Sequence, residues 1–203
     1  AGKEVKPTDL LEGADGSFLS VGLPSFSFFP ITNAVTLDEM DPNQLVERTA
    51  FHADALYDLC TSPRAPFRMM SVAEAFWGEL LRIYEEVGAI FNFGEIREAI
   101  KEFVVVLDDR LAKDAMLQPL EANRKWMDIC HLINPILYTE NGPFGRDVGG
   151  NRGRLPGLRR ALTLKEMDPG SAGEKRLLRE LLQESNRICS TISQAILVAR
   201  RDD

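Results

Sequence analysis

The stretch SAGEKRLLRELLQESNRICSTISQAILVAR, residues 171–200, decides the fold class. Ser171 with Glu174 three residues later is a capping box, in which the serine oxygen takes a first-turn N–H and the glutamate reaches back. Leu178, Leu181, Leu182, Ile188, Cys189, Ile192, Ala195 and Ile196 then fall on one helical face. A stripe of that length predicts a helix that needs other helices to cover it, because packing rather than propensity stabilises most helices.

The same grammar recurs upstream. Asp168-Pro169-Gly170 reads as a turn, and a short helix is expected from Pro156 to Met167. Pro119 opens a helix carrying Leu120, Met127, Cys130, Ile133 and Leu137, which Pro135 should kink or end. Ile96, Ile100, Phe103, Val104, Leu107 and Leu111 mark another. Ser71 and Glu74 form a second capping box ahead of Val72, Phe76, Leu80, Ile83, Tyr84 and Val87, with Gly88 closing the helix. Asp41, Pro42 and Gln44 form a third start, after which Val46, Ala50, Ala53, Tyr57 and Cys60 share a face until Ser62-Pro63. No segment reads confidently as a strand. The expectation is an all-α protein: a single domain of about six helices over residues 36–203, as a bundle or a two-layer helical sandwich.

Residues 1–35 are different. Glycine and proline at this density defeat a helix, and Phe18, Phe26, Phe28 and Phe29 stand among small polar residues. They predict an extended arm, lying over its own core or docking its aromatic residues on a protein partner.

Composition narrows the function. A chain of 203 residues with 44% apolar and 27% charged residues buries a real core. The net charge of −7 argues against a general nucleic-acid binder, which needs a basic face. No run reaches the roughly 18 apolar residues of a transmembrane segment. Cys60, Cys130 and Cys189 are odd in number and form no C-x-x-C pair, so reduced thiols in a reducing compartment, cytoplasm or organelle interior, are expected. The chain begins at Ala1 without a signal-peptide pattern, which fits either a removed targeting segment or a shortened chain.

No chemistry-bearing motif stands out. His52 and His131 are the only histidines, and neither has a second ligand at metal spacing. Asp38-Glu39-Asp41, Glu85-Glu86 and Asp108-Asp109 lack the spacing of an acid–base pair. No catalytic residue, metal site or cofactor is expected. Residues 142–160 are the most unusual in composition, with six glycines and with Arg146, Arg152, Arg154, Arg159 and Arg160 against one carboxylate, Asp147. Glycine lets backbone N–H groups approach an anion, so this segment reads either as an anion site or as a loop kept soluble by arginine.

Thr49-Ala50-Phe51, Ser62-Pro63, the helix from Ser71 through Gly88, and Phe91-x-Phe93-x-Glu95-Ile96 leading to Lys101 resemble the start of the glycolipid-transfer-protein fold. The resemblance spans about residues 49–101. It implies a two-layer helical sandwich with apolar space between layers, and a helix whose Asp and Lys hold a lipid headgroup. Lys101 falls on that Lys position, whereas Arg97 occupies the Asp position. Leu158-Arg159-Arg160-Ala161-Leu162 resembles the family's later Arg-bearing helix with a different arginine spacing, and the family's His-Trp segment has no counterpart. Two functions follow as expectations. One is a non-enzymatic interaction protein, an accessory or structural subunit of a larger assembly, with Phe18, Phe26, Phe28 and Phe29 at the partner. The other is a lipid carrier with a headgroup site of Arg97, Lys101, Arg152, Arg154, Arg159 and Arg160.

Overall fold

The structure is a computed structural model describing residues 41–65, 69–114, 116–140 and 153–201. The arm with Phe18, Phe26, Phe28 and Phe29, and most of the Gly/Arg segment with Arg152, lie outside the described residues. The protein is all-α, with no strand among the described residues. Six helices lie among the described residues: α1 (Pro42–Thr61), α2 (Met69–Val87), α3 (Gly94–Asp114), α4 (Pro119–Tyr138), α5 (Pro156–Arg159) and α6 (Ala172–Arg200). A 3-10 segment, Arg160–Glu166, continues α5. Two compact units divide these elements: α1 belongs to one, and α2 through α6 to the other.

α1 begins as its sequence dictates. The Asp41 carboxylate accepts the Asn43 N–H at 2.9 Å, and Pro42 occupies the first turn, where its missing N–H costs nothing. Ser62 caps the other end, its N–H bonded to the Asp58 carbonyl. No residue of this helix is buried.

In the second unit, α6 is the central element and packs against α3, α4, α5 and the 3-10 segment. Its start carries half of the capping box expected: Ser171 Oγ accepts the Glu174 N–H at 3.1 Å, while the Glu174 carboxylate accepts the N–H of Gly170 rather than that of Ser171, which binds the Asp168 carbonyl. Leu177, Leu181, Ile188, Ile192, Ala195, Ile196 and Ala199 are buried, each large one contributing about 1.5–3 kcal/mol. Leu182 instead is 55% exposed. α3 runs alongside α6 in the same direction, with Glu102 paired to Arg200 and Arg110 reaching the Arg201 carbonyl. α4 runs the opposite way, with Lys125 near its start bonded to that same carbonyl.

Three local expectations need correction. Ser71 lies inside α2 rather than capping it, since Met69 and Met70 are already helical and Met69 is buried. Pro135 does not end α4, which continues to Tyr138 and closes when Thr139 donates both its N–H and its hydroxyl to the Pro135 carbonyl. A proline removes only its own N–H from the ladder, so one turn after it can still be helical. Leu111, expected in the core, is 37% exposed, and Arg110 takes the buried position. Gly88 does close α2. A Cβ there would lie 2.6 Å from the Tyr84 carbonyl that the Gly88 N–H binds.

Leu155, just ahead of α5, adopts the left-handed conformation with φ of 52°. Its N–H is held by the Leu137 carbonyl at 2.8 Å, its carbonyl receives the Arg159 N–H, and its side chain is fully buried. Tertiary bonds and packing together offset the roughly 1–2 kcal/mol that this conformation costs a non-glycine residue. The chain is thereby turned so that α5 meets α6.

Candidate functional site

Of the six residues expected to bind an anion, five are described: two on α3 and three around α5. Arg97 and Lys101 lie one turn apart on α3. The Arg97 guanidinium sits 5.0 Å from the centre of the Tyr84 ring, a cation–π contact, and makes no ion pair among the described residues. Its Nε is buried without a hydrogen-bond partner in the described structure. Tyr84 in turn meets Phe93 edge-on, and Phe93 meets Phe91. Lys101 is exposed and bonded to Glu98 at 2.7 Å, which holds the Glu98 carboxyl below its usual range.

Arg159 and Arg160, at the junction of α5 and the 3-10 segment, meet carboxylates. Arg159 Nε lies 2.9 Å from Glu79 of α2. Arg160 pairs with Glu180 of α6 and lies 3.6 Å from Glu140. Hydrogen bonds from Arg176 and from Arg160 hold the Glu180 carboxyl below its usual range. Arg154 is half-buried. Beside Arg160 an open pocket of about 230 Å³ is lined by Glu140, Gly157, Glu180, Glu184 and Arg187 among others. Glu184 grips Arg187 with both oxygens at 2.7 and 2.8 Å. Three carboxylates against two guanidiniums leave that pocket without a positive surplus. Arg159 and Arg160 thus join elements of the fold through ion pairs.

The chain matches no family model, no curated protein and no solved structure.

Other residues raised by the sequence are also placed. His52 lies on α1 with Nδ1 2.6 Å from the Arg48 carbonyl, and Cys130 is buried with its thiol directed at the Met69 sulfur, 3.7 Å away. No metal-binding group of His, Cys, Asp or Glu occurs among the described residues. No helix among the described residues is long and apolar enough to cross a membrane.

Two features escaped the sequence reading. One is a buried polar cluster of Arg110, Asp114 and Lys125. Arg110 Nε binds Asp114 at 2.6 Å, and Arg110 and Lys125 both donate to the Arg201 carbonyl at the end of α6. Two cations at a helix C-terminus complement its dipole. The signal was available: Arg110 and Asp114 continue the α3 stripe three and seven residues beyond Leu107.

The other is the state of α1. Leu45, Val46, Leu56 and Tyr57 are 48%, 68%, 57% and 69% exposed. Together with Thr49, Ala50, Ala53 and Cys60 they form one apolar arc of about 140° at about 100° per residue. Every residue of that arc is exposed. The half-covered residues, Arg48, His52, Ala55 and Leu59, lie on a different side of the helix.

Proposed function

We propose that this chain is a non-enzymatic interaction protein, an accessory subunit of a larger assembly, that docks through the apolar arc of α1. The supporting observation is that a 20-residue amphipathic helix buries none of its side chains. In proteins most of a helix's stability comes from packing its apolar face rather than from propensity. A partner that covered Leu45, Val46, Leu56 and Tyr57 would supply about 1.5–3 kcal/mol for each large side chain fully buried.

The test replaces Leu45, Val46, Leu56 and Tyr57 together by Gln, which removes the apolar surface and keeps helix propensity. Surface substitutions of this kind alter stability by about 0.5 kcal/mol each or less, so the α2–α6 unit keeps its melting temperature. Tagged wild-type protein from the native source should retain a stoichiometric partner that the quadruple variant loses. A partner retained equally by both proteins sinks the α1 docking reading.

A second reading, a lipid carrier of glycolipid-transfer-protein type, draws support from Arg97, which lies against a ring face and forms no salt bridge among the described residues. Lys101 one turn away would share an anionic headgroup. Transfer of labelled sphingolipid between vesicles, lost in the Arg97→Gln variant, is the expected result. Equal transfer by variant and wild type would exclude Arg97 as the headgroup site.

A further inference from the structure

The carboxylates of α2, α3 and α6 commonly hold nearby cations: Glu79 with Arg82, Glu98 with Lys101, Asp109 with Lys113, Glu184 with Arg187. Others, such as Glu74, Glu85 and Asp108, stand exposed without an ion pair among the described residues, and on α1 three such carboxylates, Glu47, Asp54 and Asp58, occur together. Their spacing of seven and four residues puts them on one line of the helix. Glu47 and Asp54 stand one turn from Ala50 and Tyr57, so this line borders the apolar arc on one side. Arg48 lies beyond the opposite border and is half-buried. The apolar arc therefore carries an uncompensated negative edge on one side only.

We infer that the partner of α1, on the docking reading above, is an amphipathic helix whose apolar face is bordered by lysine or arginine. An apolar stripe selects a second apolar stripe by burial, and flanking charge selects the partner and its orientation. Like charges juxtaposed at an interface cost enough to exclude a wrong partner, so an acidic-edged helix is rejected where a basic-edged one is held. The one-sided edge also fixes which flank of the partner faces Glu47 and Asp54. Apolar contact carries the affinity; the acidic line carries the choice.

The test titrates the full chain with two synthetic amphipathic helices of equal length, one of leucine and lysine and one of leucine and glutamate. The Leu/Lys peptide should bind about tenfold more tightly at low salt, the sum expected of three exposed charge pairs, with the difference shrinking as salt rises. The triple variant Glu47→Lys, Asp54→Lys, Asp58→Lys should reverse the order. A control variant, Glu74→Lys, Glu85→Lys, Asp108→Lys, makes the same change in net charge on exposed positions of α2 and α3 and should leave the order intact. If both peptides bind through α1 with equal strength, or if the control reverses the order as well, the basic-edged partner is overturned while α1 docking stands. If neither peptide binds, and replacing Leu45, Val46, Leu56 and Tyr57 by Gln also leaves the native partner bound, docking through α1 fails. If neither peptide binds but that partner is lost, the basic-edged helix alone is overturned.

Discussion

A thiol reacts as its thiolate, and burial decides how much thiolate a cysteine holds. Cys130 lies among apolar neighbours on α4, and the loss of water pushes its pKa up to about 11. Cys189, part-buried on α6, is also shifted upward, first by burial and then by Glu95. Cys60 is exposed on the apolar arc of α1. Brief iodoacetamide labelling of the native protein at pH 8, read by mass spectrometry, should therefore modify Cys60 first, Cys189 slowly and Cys130 least. Comparable labelling of all three would contradict the burial of Cys130. The same physics governs Arg110 and Asp114, whose side chains are 3% and 5% exposed. Arg110→Met takes away the guanidinium bonded to the buried Asp114 carboxylate, so it should cost up to about 3–5 kcal/mol in urea unfolding. Arg110→Met with Asp114→Leu removes that pair and should recover part of the loss, since Lys125 stays buried against the Arg201 carbonyl.

Helix by helix, the stripe and the cap were legible, and the fine phase was not. Ser171 and Asp41 cap as their residue types require. On α6, however, Leu177 is buried where Leu178 was expected, because positions at the border of a stripe differ by one step of about 100° and apolar residues occupy both. On α3 the stripe hid Arg110 and Asp114, since a pattern built on apolar residues skips a buried ion pair. The ion pairs of Arg159 and Arg160 were not legible in the sequence at all. Their partners Glu79, Glu140 and Glu180 come from other elements, and only the fold brings those charges together. Glu180 makes this testable. Arg176 and Arg160 lower its pKa below the ordinary 4.5, so its contribution to stability is present above that value and is lost as pH falls through the depressed folded value. Carboxyl-carbon NMR titration of Arg160→Gln should move the Glu180 midpoint upward, toward the ordinary value, while Arg176 keeps it partly depressed. An unmoved midpoint would mean that Arg160 and Glu180 do not pair in solution.

At the level of the whole molecule, the distribution of buried surface predicts a distribution of stability. α6 lies at the centre of its unit, with Ile188, Ile192 and Ala195 fully buried. Its central amides should exchange with solvent only on global opening of that unit. α1 has no fully buried side chain to oppose fraying, and packing supplies most of a helix's stability. Hydrogen–deuterium exchange of the full chain should accordingly show residues 42–61 exchanged within seconds, while residues 188–196 stay protected for hours. Adding a partner that covers the α1 arc should slow exchange over residues 42–61 and leave residues 188–196 unchanged, because only the first segment gains burial. Slow exchange of α1 in the isolated protein would show that its apolar arc is already covered, and the case for a docking helix would fall with it. The side chains that make α1 amphipathic are the ones left without a core, so a partner that covered them would add the burial the helix lacks.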